Sequence, residues 1–195
     1  MRKAQQDRKT QETEIHIALE LDGHGRTEIH TGIGFFDHML TLLARHAQFN
    51  LTVQAQGDLE VDAHHTVEDV GIVLGQALAR ALGDKRGINR YGHAVIPMDE
   101  ALLEAVVDLS GRPFIVFDVP HYAPQVGDFD TELTEEFFRA LAVHAGITLH
   151  LSCRYGKNDH HIIEGLFKAL ARALAEAVRL DPEHAGQIPS TKGVL

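Results

Sequence analysis

A single cysteine, Cys153, has no intrachain partner, so no disulfide framework holds this chain together, in keeping with a reducing cytoplasm. No apolar stretch reaches the roughly 18 residues of a membrane span. The opening MRKAQQDRKTQETE lacks the hydrophobic centre of a secretory signal. Basic residues are in the minority: 18 Lys and Arg stand against 28 Asp and Glu, a formal charge of −10. With no long basic run, nucleic acid is not an expected partner. Also missing are a Gly-rich nucleotide loop and a Gly-x-Ser-x-Gly nucleophile elbow. Cys153 sits in an apolar, strand-like context that does not suit a nucleophile. No low-complexity segment or interdomain linker divides the chain.

Histidine, by contrast, is abundant. The 195 residues include 14 of them, scattered rather than gathered into a tag-like run of six. Histidine is the side chain best suited to transition-metal binding and proton movement near neutral pH. Apolar content of 44% is ordinary and leaves enough material for a substantial core.

The histidines sort themselves through an internal repeat. His64, His65 and Glu68 in AHHTVED match His160, His161 and Glu164 in DHHIIEG at an offset of 96. Helical sequence follows both, VGIVLGQALARALG and LFKALARALAEAV. Upstream, MLTLLARHAQFNLTV resembles FFRALAVHAGITLHL at an offset of 98, so the first half has a connecting loop two residues longer. Each half thus reads as an apolar helix, an alternating strand, a loop, and a helix opening with His-His-x-x-Glu. A period near 100 residues indicates duplication of a half-domain rather than a solenoid. The segments TEIHIALELDG and GRTEIHTGIG flank Asp22-Gly23-His24-Gly25, a hairpin signal. YGHAVIPM, ALLEAVVDLS and PFIVFDVP are further strand candidates, with helix open as an alternative for ALLEAVV. The expected fold is α+β: two similar halves, about 10–90 and 91–185, each a mainly antiparallel sheet with helices packed on one face. The polar ends, roughly 1–10 and 181–195, are expected to be mobile unless a ligand or partner orders them.

Helix geometry says what paired histidines can do. Successive residues are rotated by about 100°, whereas residues four apart share a face. His64 with Glu68, and His160 with Glu164, can therefore each chelate an ion, while His65 and His161 point elsewhere. Crossing the halves gives two related donor sets: His64, Glu68 and His161, and His160, Glu164 and His65. His38, in GFFDHML, adds a donor from the preceding helix, and its repeat equivalent is Glu136. Imidazole and carboxylate without thiolate suit Mn²⁺, Fe²⁺ or Zn²⁺. A single such motif at a helix start would most simply be a solvated surface; two at matching places favour ligation. His46 and His144 also correspond, either as helix-terminating cations favoured by the dipole or as catalytic groups. His16, His24, His30, His121 and His184 read as surface residues, and His93 and His150 as structural ones.

GFFDHML, DAHHTVEDVGI, RYGHAVIPMDEAL, DLSGRP, KNDHHIIEGLFKALARAL and PSTKGVL together resemble the imidazoleglycerol-phosphate dehydratases, in family order from about Arg8 to Leu195. No fused phosphatase domain precedes the match, so the resemblance is to the stand-alone form. It implies dehydration of imidazole glycerol phosphate to imidazole acetol phosphate in histidine biosynthesis, through a metal-bound imidazolate. Two Mn²⁺ ions per site and a 24-subunit shell with sites between subunits are also implied. Carried onto this chain, one ion falls to His64, Glu68 and His161, and the other to His38, His65, His160 and Glu164. Where the family often has histidine this chain has Glu136, which repeat symmetry favours as the fourth ligand of the first ion. Glu12 corresponds to a substrate-contacting glutamate and is the candidate acid/base. Arg90, Arg112, Lys168, Ser190, Thr191 and Lys192 correspond to substrate and phosphate contacts. The terminal STKGVL would then act as a flap ordered by ligand. A binuclear hydrolase of phosphorylated substrates and a non-catalytic metal store would use similar donors. Turnover distinguishes them.

Overall fold

A computed structural model describes all residues, 1–195. Two four-stranded sheets each carry one buried and one exposed face, written in the strands by period-two burial such as that of β2. The first sheet has the order β1-β2-β4-β3, from β1 (Lys3–Lys9), β2 (Thr13–Glu20), β3 (Thr27–His30) and β4 (Asn50–Gly57). The second has the order β5-β6-β10-β7, from β5 (Tyr91–Met98), β6 (Ala101–Asp108), β7 (Phe114–Asp118) and β10 (Thr148–Tyr155). A short pair, β8 (Gln125–Val126) and β9 (Phe129–Asp130), completes the strands. In each large sheet only the edge strand that a helix links to its neighbour, β3 to β4 or β7 to β10, runs parallel to that neighbour. The duplication is therefore topological as well as sequential.

Four helices fill the space over the buried faces: α1 (Gly34–Ala47), α2 (His64–Leu82), α3 (Leu133–Ala145) and α4 (Asp159–Val178). Both helices that open with His-His-x-x-Glu lie on their own half's sheet, α2 on β1 and β2, α4 on β5 and β6. Their other flanks are covered by the helix of the opposite half, α3 on α2 and α1 on α4. This interlocking explains why most of α2 and α4 is buried, more than a helix covering one sheet face requires. At the junction Phe36, Phe129, Phe137, Phe138 and Phe167 are all buried. Phe36 meets Phe137 edge-on at 5.2 Å, and Phe137 stacks on Phe167 at 5.3 Å. Such pairs contribute about 1 kcal/mol each beyond the area they bury.

Three local expectations are corrected. The Asp22–Gly25 turn joins β2 to β3, but the two strands do not pair; β4 lies between them. Asn50, at the start of β4, accepts hydrogen bonds from the His24 and Arg26 amides through Oδ1, so the turn arches over β4 instead of closing a hairpin. The amino-terminal segment is not a tail: Lys3–Lys9 pairs along its length with β2. Backbone pairing orders it with only Ala4 to bury, so its polar composition concealed a strand. The carboxy-terminal residues also dock. A 3₁₀ turn spans Pro182–His184, and the Gly87 amide donates to the Gln187 carbonyl at 2.8 Å. ALLEAVV is strand β6 rather than a helix.

Candidate active site

The first amide of each histidine pair is held by a side chain two residues upstream, Asp62 just before the α2 N-cap and Asn158 as the α4 N-cap. Asp62 Oδ1 accepts from the His64 amide at 2.8 Å, and Asn158 Oδ1 accepts from the His160 amide at 3.0 Å. These acceptors satisfy amides the first turn would otherwise leave open, fixing where the helix begins and hence which way the rings leave it. His160 and His161 then sit with ring planes 83° apart, and His64 and His65 with planes 90° apart.

The second-half pair is the more tightly built. Glu164 is almost buried, its Oε2 lying 3.2 Å from His160 Nε2 and 3.5 Å from His38 Nε2. Its Oε1 accepts from Lys168 Nζ at 2.5 Å. Burial pushes the Glu164 carboxyl up, but the Lys168 hydrogen bond and charge, with His160 and His38, outweigh it, and the carboxyl is held below its ordinary range. Phe35 meets the His160 ring edge-on at 5.2 Å. Thus His38 from the first half and His160 with Glu164 from the second meet within one chain.

The first-half pair is looser: His64 Nε2 stands 3.8 Å from Glu68 Oε2. Glu136 lies in the first turns of α3, the helix that packs on α2. His65 and His161 both diverge from their partners. His65 Nδ1 lies 3.0 Å from Asp58 Oδ2, with Glu12 Oε1 3.8 Å from its Nε2. His161 Nδ1 lies 2.7 Å from Glu100 Oε2, with Asp99 Oδ2 3.7 Å from its Nε2. No hydrogen bond or ion pair joins one motif to the other. Neither crossed donor set, His64–Glu68–His161 or His160–Glu164–His65, is assembled in the single chain, and no group of three such side chains is close enough to enclose an ion. Chemically the donors nonetheless fit one: imidazoles and carboxylates without thiolate, with a nearly buried carboxylate oxygen turned toward two imidazoles.

The cationic residues form two groups. Lys168 belongs with Glu164. Arg90 donates to Asp108 through Nε at 2.7 Å and to the Pro189 carbonyl at 2.9 Å, tying the carboxy-terminal segment to β6. Arg112, in the turn after β6, lies 3.5 Å from Asp108 and is largely exposed. Lys192 donates its amide to Ser190 Oγ at 3.2 Å, while Thr191 and Lys192 are exposed. His46 ends α1, where burial first and then Lys168 and Arg172 push its imidazole below the ordinary value. A cationic cap is therefore disfavoured there, whatever the dipole offers. Asp58, Asp99, Glu100 and Asp108 are the contacts sequence reading missed. Glu100 had a signal: the hairpins β1-β2 and β5-β6 repeat at an offset of 88, which sets Glu100 opposite Glu12.

Fold and site together define a duplicated α+β enzyme frame whose chemistry-bearing side chains are imidazoles and carboxylates. A family profile for imidazoleglycerol-phosphate dehydratase matches residues 31–174, and the chain belongs to that family of dehydratases, which are lyases. The imidazoleglycerol-phosphate dehydratase of Acidiphilium cryptum is 64% identical over 188 residues, covering 96% of each chain. That of Gluconobacter oxydans is 61% identical over 194 residues, covering 100% of this chain and 98% of its own. Among solved structures, the Staphylococcus aureus enzyme superposes with a TM-score of 0.84 at 44% identity, over 92% of this chain and 99% of that one. The Pyrococcus furiosus enzyme, in complex with (S)-C348, gives 0.82 at 35% identity, over 97% and 100%. No helix is long and apolar enough to cross a membrane.

Proposed function

We propose that this chain dehydrates imidazole glycerol phosphate to imidazole acetol phosphate and water, as a cytoplasmic step of histidine biosynthesis, with two Mn²⁺ ions per active site. His64, Glu68, Glu136 and His161 would hold one ion, and His38, His65, His160 and Glu164 the other. The observation that carries this reading is the convergence of His38 and His160 on one nearly buried carboxylate oxygen of Glu164. Bound divalent ions supply Lewis acidity, which lets an imidazole substrate give up a ring proton near neutral pH.

The chain's own residues do the rest. Lys168 holds Glu164 ionised and leaves Oε2 free for the imidazole side. Glu12 sits at the β1-β2 turn, and its carboxylate accepts no hydrogen bond, so it is free to exchange a proton with substrate. The proton leaves the carbon next to the one that loses hydroxyl, the hydroxyl departs as water, and the enol tautomerises to the ketone. Arg90, Arg112, Ser190, Thr191 and Lys192 would receive the phosphate: guanidinium suits bidentate contact, and Arg90 already holds the segment that brings the hydroxyls. Completion of both donor sets by a neighbouring subunit, in an assembly of 24, fits motifs that diverge within one chain.

Stripping the full-length protein with a chelator is expected to abolish dehydration, and adding Mn²⁺ to restore it. The Asp58 hydrogen bond holds the His65 imidazole above its ordinary value, so protons compete for this ring at higher pH than for a free imidazole. Bound Mn²⁺ should therefore begin to leave as the pH falls below about 7 and be gone near 5. Unchanged turnover in fully stripped protein refutes the metal assignment. Phosphate release without dehydration would point to a hydrolase instead. Assembly size measured beside turnover should fall when the metal is removed; an intact assembly means metal does not link the subunits.

Exchanging Glu12 for glutamine removes the proton-exchanging oxygen with little change of shape. A fall in kcat of about 10²–10⁴-fold, with Mn²⁺ content unchanged, is expected in steady-state kinetics. A variant as fast as wild type excludes Glu12 as the acid/base.

A further inference from the structure

The second imidazole of each pair has a feature that the first lacks. His161 presents Nδ1 to Glu100, and His65 presents Nδ1 to Asp58. An ionised carboxylate only accepts, so each ring carries a proton on Nδ1, and in its neutral form the lone pair is on Nε2. The two acids come from unrelated places. Asp58 follows β4 in the longer loop, whereas Glu100 occupies the β5-β6 turn, opposite Glu12 in the other hairpin.

These duplicated glutamates have parted ways. Glu12 offers its carboxylate to the Nε2 side of His65 and is bonded to nothing. Glu100 is fully committed: Oε2 meets His161, while Oε1 accepts the Asn158 amide at 2.9 Å and the Lys157 amide at 3.2 Å. Because Asn158 also caps α4, one carboxylate sets both the loop and the ring at the helix start.

We propose that Glu100 and Asp58 are positioning residues that hold His161 and His65 in the Nδ1-protonated tautomer, ready to ligate a divalent cation through Nε2. Glu100 is then the copy of Glu12 diverted by duplication from exchanging protons to aiming an imidazole. This rests on reading His161 and His65 as ligands, and predicts that the two sites respond differently to the same chemical change. In Glu100→Gln the amide oxygen is claimed by the two backbone N–H groups, so the NH₂ faces Nδ1 and stabilises the tautomer with Nε2 protonated. That tautomer cannot ligate. In Asp58→Asn no backbone group competes for the side-chain oxygen, which can turn to Nδ1–H and keep the correct tautomer.

The test measures free Mn²⁺ by electron paramagnetic resonance during titration of stripped, full-length protein, alongside melting of the metal-free form. Glu100→Gln and Asp58→Ala should bind Mn²⁺ about 10–100-fold more weakly, and Asp58→Asn within about threefold of wild type. Metal-free melting temperatures should match wild type. If His161→Ala and His65→Ala weaken binding while Glu100→Gln and Asp58→Ala do not, the positioning role is wrong and the ligand assignment stands. If the histidine variants bind as wild type does, the ligand assignment itself fails. Should Glu100→Gln not fold, the contrast between Asp58→Ala and Asp58→Asn decides: equal losses overturn the tautomer account.

Discussion

Glutamine in place of Glu164 is expected to lower dehydratase turnover by about a thousandfold, beyond the 10–100-fold typical of groups that only support a ligand. One oxygen of this carboxylate faces His38 and His160, and the other neutralises Lys168. The substitution therefore has a second consequence. Glu164 and Lys168 side chains are only 10% and 19% exposed, so removing one charge strands the other, at a cost of about 3 kcal/mol. Pairing Glu164→Gln with Lys168→Met removes the stranded ammonium. Thermal unfolding should then recover much of the loss while Mn²⁺ binding, which does not depend on the phosphate contact assigned to Lys168, does not. Equal recovery of both would mean that Glu164 serves the fold alone. The sign with pH follows from the depressed carboxyl: its stabilising contribution is present above 4.5, the ordinary glutamate value, and is lost as acid protonates the folded carboxylate.

The second large effect lies away from the chemistry. A methyl group at Gly92 in β5 would stand 1.8 Å from the Ala173 carbonyl oxygen and 2.9 Å from the Ala177 amide nitrogen of α4. Both are backbone atoms, so no side chain can turn aside and the helix itself must move. Overpacking of this kind costs about 3 kcal/mol. For a chain of this size, that corresponds to a melting temperature lower by about 10 °C. Since α4 carries His160, His161 and Glu164, a displacement of about 1 Å should also cost turnover about 100-fold in the molecules that remain folded. Gly34 provides the contrast. No atom lies within 4 Å of a methyl group placed there, so Gly34→Ala at the start of α1 should leave melting unchanged or raise it slightly. Wild-type melting for Gly92→Ala would show that β5 and α4 have more room than the structure gives them.

Much of this molecule was legible before folding because its signals are local. The i, i+3, i+4 spacing of Phe36, Met39, Leu40 and Leu43 announces α1, and alternation in TEIHIALE announces β2. The divergence of neighbouring imidazoles follows from helix geometry alone, and the rings do diverge. Failures occurred where long-range pairing overrode composition. Lys3–Lys9 is a strand because β2 supplies partners for its backbone, and the Asp22–Gly25 turn spans β4 because Asn50 accepts the His24 amide within it and the Arg26 amide just after it. Glu100 was passed over because its offset of 88 differs from those of the helices: the connections between elements changed length independently in the two halves.

By itself, the sequence determined the duplication, the helix starts and the donor chemistry, because repeat identity, apolar periodicity and residue type need no knowledge of distant partners. Tertiary structure alone decided that each half's helix packs on the other half, bringing His38 to Glu164, and that a turn glutamate repeated from one hairpin to the next is free at Glu12 and bound at Glu100. The physical reason is the same in both cases: a side chain's role depends on which groups stand within hydrogen-bond reach, and those come from segments far along the chain whose placement only the packed core specifies.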